Sequence, residues 1–78
     1  MKEFWPMARC LDGQILYTYE ACLSVEECLE VFKVWEKSYN YILDEMWINV
    51  EEGDKKTSLK VVREFRVLEN SGGDNVEK

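Results

Sequence analysis

Histidine is absent from all 78 residues. The commonest general acid-base is therefore missing, and a Cys-His catalytic pair is impossible. Cysteine is sparse and odd in number. Cys10, Cys22 and Cys28 are separated by eleven and five intervening residues, a spacing that matches neither a disulfide framework nor paired zinc ligands. Reduced, buried thiols are the expectation, with no metal and no cofactor. No apolar run approaches the roughly 18 residues of a membrane span. The N-terminus has no basic region followed by an apolar stretch and a cleavage site. These two absences lead to the expectation of a soluble cytoplasmic protein with no membrane partner. Carboxylates are plentiful, but the sequence places no Asp/Glu pair in a cleft. A cysteine nucleophile, or Glu36 as base with Tyr17 or Tyr19 as acid, lacks an identifiable activating partner. The chain reads as non-catalytic.

What is present is enough to fold. Hydrophobic residues make up 46% of the chain and aromatic residues 13%, too rich for a disordered polymer despite 33% charged residues. A chain of this length has room for one core, so a single domain over residues 1–69 is expected. The ending "NSGGDNVEK" has no apolar periodicity and reads as a flexible, disordered polar tail over 70–78.

The formal charge of −6 is unevenly spread. Residues 1–54 hold twelve acids against four bases, whereas 55–67 hold five bases against one acid. Lys55, Lys56, Lys60, Arg63 and Arg66 form a local basic stripe on an acidic chain. Long-range repulsion from phosphate therefore disfavours nucleic acid as a partner.

Asp12-Gly13, within "WPMARCLDGQILYTYE", suits a two-residue type I′ hairpin turn. That turn would pair Cys10 with Ile15, Ala8 with Tyr17 and Pro6 with Tyr19 on the core side. Trp5, Met7, Arg9, Leu11, Gln14, Leu16, Thr18 and Glu20 would then share the other side. A helix follows, with Ser24 as N-cap, Glu27 completing a capping box, and Leu23 against Cys28 as a hydrophobic staple. At 100° per residue, Val25, Cys28, Leu29, Phe32, Trp35 and Tyr39 form one stripe, and Asn40 is a left-handed terminator. Glu36 is expected to reach water at the sheet's edge, and Val34 to be exposed on the opposite face.

Met46, Ile48 and Val50 alternate against Trp47 and Asn49 as a third strand, with Asp44 and Glu45 at a bulge or loop where it starts. "TSLKVVREFRVLE" reads as a fourth strand. Leu59, Val61, Phe65 and Val67 share its inner face, Arg63 being an exception, while Lys60, Val62, Glu64 and Arg66 occupy its outer face. The fold class is α+β: a ββαββ order with a four-stranded, predominantly antiparallel sheet, and one amphipathic helix packed on one face. A right-handed crossover gives the spatial order 2-1-3-4.

One helix covers one side of such a sheet. Trp5, Met7, Arg9, Leu11, Leu16, Trp47 and Val62 remain on the other as a candidate protein interface. A tryptophan buries about 150–250 Å², so two on an open face favour a partner. The expected function is a small acidic protein-protein interaction module, a homodimer through the open face. The first alternative is an inhibitor or adaptor, of the short acidic phage or mobile-element kind, bound to a basic surface of a nucleic-acid enzyme. The second is single-stranded nucleic-acid binding, with tryptophans stacking on bases.

Overall fold

A computed structural model describes residues 1–68 of the chain. The expected flexible tail at 70–78, and the domain boundary at 69, lie outside the described residues. Strands β1 (Lys2–Cys10), β2 (Ile15–Tyr17), β3 (Leu43–Glu52), β4 (Lys55–Val62) and β5 (Arg66–Leu68) form one antiparallel sheet. Its order is β2-β1-β3-β4-β5. Helix α1 (Val25–Lys37) packs across β1 and β3 on one face. The expected order 2-1-3-4 is present, extended by a fifth strand.

The helix begins where its cap chemistry requires. The Glu27 N–H donates to Ser24 Oγ at 3.2 Å, which satisfies one orphaned donor of the first turn, while Glu27 Oε1 accepts from the Leu23 N–H at 2.8 Å, one residue before the N–H that the expected capping box would use. Leu23 itself is exposed, and the expected staple against Cys28 does not form. Cys28 and Phe32 are buried, and Val25, Leu29 and Trp35 pack around them. Tyr39, expected on the stripe, is exposed because the helix ends at Lys37, and Asn40 at φ 60° then redirects the chain toward β3. Glu36 and Val34 are exposed as expected. Ser24→Ala should cost about 1 kcal/mol of stability in a urea titration. An unchanged midpoint would remove the cap from the account of this helix.

The first hairpin differs from the expected one by a single residue, with consequences for a whole strand. The Gly13 N–H donates to the Cys10 carbonyl at 2.9 Å, and the Cys10 N–H to the Gln14 carbonyl at 2.8 Å. The Gln14 N–H donates to Asp12 Oδ1 at 3.0 Å. Gly13 has a positive φ of 93° and Asp12 does not, whereas a type I′ turn needs both. The result is a three-residue loop with glycine at its left-handed position. Arg9 now pairs with Ile15, Ala8 with Leu16 and Met7 with Tyr17, in place of Cys10 with Ile15 and Ala8 with Tyr17. Leu16 is therefore buried in the core beside Ala8, and Ile15 and Tyr17 move to the open face. Leu11 belongs to the loop, where it is 66% exposed. It lines a cleft at the sheet's end with Ile42, Met46 and Phe65 instead of joining the open face.

The connection to the helix is held to the sheet by a β-bridge between Phe4 and Cys22, with Cys22 N–H to Phe4 carbonyl at 2.7 Å and the reciprocal bond at 3.2 Å. This bridge occupies the edge of β1 beyond the short β2. At the other end of β1 the register shifts: Arg9 pairs with Glu45 and Cys10 with Leu43, leaving Asp44 as the extra residue of a bulge.

The expected fourth strand is two strands. The chain reverses at Arg63–Phe65, with Glu64 at φ 66° and Phe65 at φ 56°, and Val62 pairs with Arg66 across the turn. No glycine or proline marks this reversal, so its trace in the sequence is the break in alternation at Arg63. Left-handed backbone costs a residue with a side chain roughly 1–2 kcal/mol. Glu64→Gly should raise the thermal midpoint, since glycine adopts this conformation without strain and Glu64 is exposed. A lowered midpoint would show that the turn is held by the Glu64 side chain.

A candidate protein-binding face

The open face is built by strand alternation around a closed core. Pro6, Ala8 and Cys10 of β1, Leu16 of β2, Ile48 and Val50 of β3, and Val61 of β4 are buried toward the helix. Their neighbours in sequence therefore project the other way. Cross-strand pairing then sets a continuous row across all five strands: Tyr17, Met7, Trp47, Lys60 and Leu68. Four of these five are apolar or aromatic. Tyr17 is 54% exposed and Leu68 46%, while Met7 and Trp47 are half-buried by their flanking side chains. Tyr19 extends the row at one end, its ring edge-on to Tyr17 at 5.5 Å.

Two further rows flank it. Ile15, Arg9 and Glu45 lie on one side, and Trp5, Asn49 and Ser58 on the other. The Ser58 hydroxyl donates to Asn49 Oδ1 at 2.8 Å, tying β4 to β3. The Trp5 Nε1–H is buried with no partner. Arg9 is clamped by the bulge: its guanidinium lies 2.8 Å from Glu45 Oε1 and 3.3 Å from Asp44 Oδ2. The extra residue at Asp44 brings two successive carboxylates to one cation.

Of the seven residues expected at the interface, Trp5, Met7, Arg9, Trp47 and Val62 share the open face. Leu16 lies in the core and Leu11 in the loop. Ile15, Tyr17, Lys60 and Leu68 were missing from the expected patch. The first two follow from the corrected hairpin register, and Leu68 from the extra strand. Lys60 was already placed on this face by alternation, and its place at the centre of the row comes from pairing with both Trp47 and Leu68.

Comparison with family models, curated proteins and solved structures finds no match. Among the described residues no helix is long and apolar enough to cross a membrane, and no group of three or more ligating side chains converges as a metal site.

The thiols lie on the other side of the sheet. Cys10 and Cys28 are buried, Cys22 is half-buried, and none forms a disulfide. Burial raises all three pKa values above the ordinary thiol value, Cys28 most of all, with Cys22 beside it adding to the shift. Folding therefore holds protons that the unfolded chain releases. The stabilisation is complete below the unfolded thiol pKa and is lost as pH rises above it, at about 1.4 kcal/mol per pH unit for one fully protected thiol. Denaturation midpoints should fall above about pH 9, and Cys28→Ala should flatten that fall. A slope unchanged by the substitution would contradict the burial of this thiol's charge-free form.

Proposed function

We propose that this chain is a non-catalytic protein-protein interaction module that forms a homodimer through the sheet face opposite α1. The observation that carries the reading is the row Tyr17, Met7, Trp47, Lys60 and Leu68, which crosses the whole sheet on the face away from the helix. The fold measures 35 × 30 × 20 Å, so its broad face has an area of the same order as the ~800 Å² per partner of a standard interface. Apolar burial at roughly 25 cal/mol per Å² makes the tryptophans the main source of association energy. A second copy satisfies the requirement for an aromatic partner surface of the same size.

The clamped Arg9 also favours protein over single-stranded nucleic acid. With Asp44 and Glu45 on its guanidinium, this cation is not free for phosphate. Light scattering with in-line chromatography tests the reading directly: a dimer that dissociates on dilution and tolerates added salt is the expected result. A monomer at high concentration overturns it. The acidic outer surface of the helix, with Glu26, Glu30 and Glu36 exposed, would then favour a basic foreign partner, whose association slows as salt rises.

A further inference from the structure

We propose that the outer edge of β4, along residues 55–59, receives an extended acidic segment of a foreign protein as an added antiparallel strand. The site is the edge of the sheet and not its open face, so it stands whether or not the open face dimerises.

The two edges of the sheet are finished differently. On the β1 side, β2 is three residues long and pairs with Met7, Ala8 and Arg9, while the Phe4 N–H and carbonyl are taken by Cys22. Pro6, between Phe4 and the paired Met7, has no N–H to offer. That edge is closed. On the other side β4 runs for eight residues, but β5 pairs only with Lys60, Val61 and Val62. Among the described residues no strand lies outside 55–59.

Turn chemistry fixes which backbone groups this leaves. Gly53, at φ 61°, takes the first central position of a two-residue turn that sets Glu52 opposite Lys55. The Lys55 N–H is therefore directed at Glu52 on β3, and alternation turns Thr57 and Leu59 the same way. Lys56, Ser58, Lys60 and Val62 direct theirs outward. Leu68 and Arg66 of β5 pair with the last two, and the N–H and carbonyl groups of Lys56 and Ser58 are left to bond a new strand.

The side chains state what that strand must carry. Lys55, Lys56, Thr57 and Ser58 are exposed and Leu59 is half-buried, and among the described residues neither lysine is in an ion pair. On the inner side, Ile48, Asn49, Val50, Glu51 and Glu52 oppose Leu59, Ser58, Thr57, Lys56 and Lys55 in turn. An outer antiparallel strand meets the same five side chains from the other side and needs the same order: apolar, polar, apolar, acid, acid. Its acids would lie one strand spacing from the lysines, about 5 Å, and two spacings from Glu51 and Glu52, about 10 Å, where salt screens most of the repulsion. The nearer charge decides. A second copy's β4 would instead bring two more lysines into the same short ladder.

The pentapeptide Ile-Asn-Val-Glu-Glu, acetylated and amidated at its ends and titrated into the isotope-labelled full chain, tests the proposal. The amide resonances of Lys56 and Ser58 should shift, and their exchange with solvent should slow. N-methylation of the peptide's Asn and first Glu, whose N–H groups face β4, should weaken binding by about 10-fold or more, whereas N-methylation of Val, whose N–H faces away, should be tolerated. Lysines in place of the two Glu should weaken it by a similar factor, about 10-fold, at low salt. No binding at about 1 mM peptide, equal binding of the two N-methylated peptides, or equal binding of the lysine peptide overturns the proposal. So do Lys56 and Ser58 amides that exchange slowly before peptide is added. Protection lost on dilution then assigns the edge to a second copy, and protection that persists assigns it to residues 69–78 of the same chain. A monomeric wild type overturns the homodimer and leaves this site standing.

Discussion

Phe32→Ala is expected to cost about 3–5 kcal/mol, enough to unfold a large fraction of a domain whose total stability is on the order of 5 kcal/mol. Phe32 is 0% exposed and sits mid-helix at the centre of the core, with Ile48 and Ala8 of the sheet buried to the same degree. Its ring meets Trp35 edge-to-face at 5.7 Å, a contact worth about 0.5–1.5 kcal/mol beyond its area. Truncation removes the ring's transfer energy and leaves a void beneath β1 and β3, since α1 is the layer that packs on them. Urea denaturation followed by far-ultraviolet circular dichroism reads the effect. A loss below about 1 kcal/mol would mean that the helix closes over the gap, and that the sheet is held by its strand pairing more than by this layer.

Trp47→Ala is expected to act on association and to leave the fold nearly intact. Trp47 lies on β3 between Met7 and Lys60, on the face away from the helix, while its neighbours Met46 and Ile48 face the core. A central aromatic anchor costs about 2 kcal/mol or more when truncated, roughly 30-fold in affinity. Dilution series by light scattering should show the variant reaching monomer at a concentration correspondingly higher than the wild type does, with an unchanged circular dichroism spectrum. A variant that dimerises as tightly as the wild type would remove Trp47 from the interface. A variant that unfolds would show that Trp47 supports the sheet itself.

The sequence expectations failed at turns and succeeded along strands and the helix, for a common reason. Along a strand or helix, many side chains report the same periodicity. The inward set of Pro6, Ala8 and Cys10 and the outward set of Trp5, Met7 and Arg9 were legible without the structure. So were the alternation of β3 and the stripe of α1. A turn is decided by one or two backbone angles. At Asp12-Gly13 the choice between a two- and a three-residue loop rested on the sign of φ at Asp12, and that one sign moved Leu16 into the core and Tyr17 out of it. At Glu64 and Phe65 the chain turns back through two left-handed residues with no glycine to announce it.

Local sequence thus determined the α+β class, the helix with its Ser24 cap, the strand faces of β1 and β3, and the presence of tryptophans on the side the helix does not cover. Side-chain periodicity and capping chemistry act within a few residues, and composition records them. The tertiary structure alone decided that Arg9 is held by Asp44 and Glu45, that Tyr17, Met7, Trp47, Lys60 and Leu68 align in one row, and that the sheet has a fifth strand. Those features depend on register between segments far apart in the chain. Register is set by the packing of all strands at once, because a shift of one residue sends a whole strand's side chains to the opposite face.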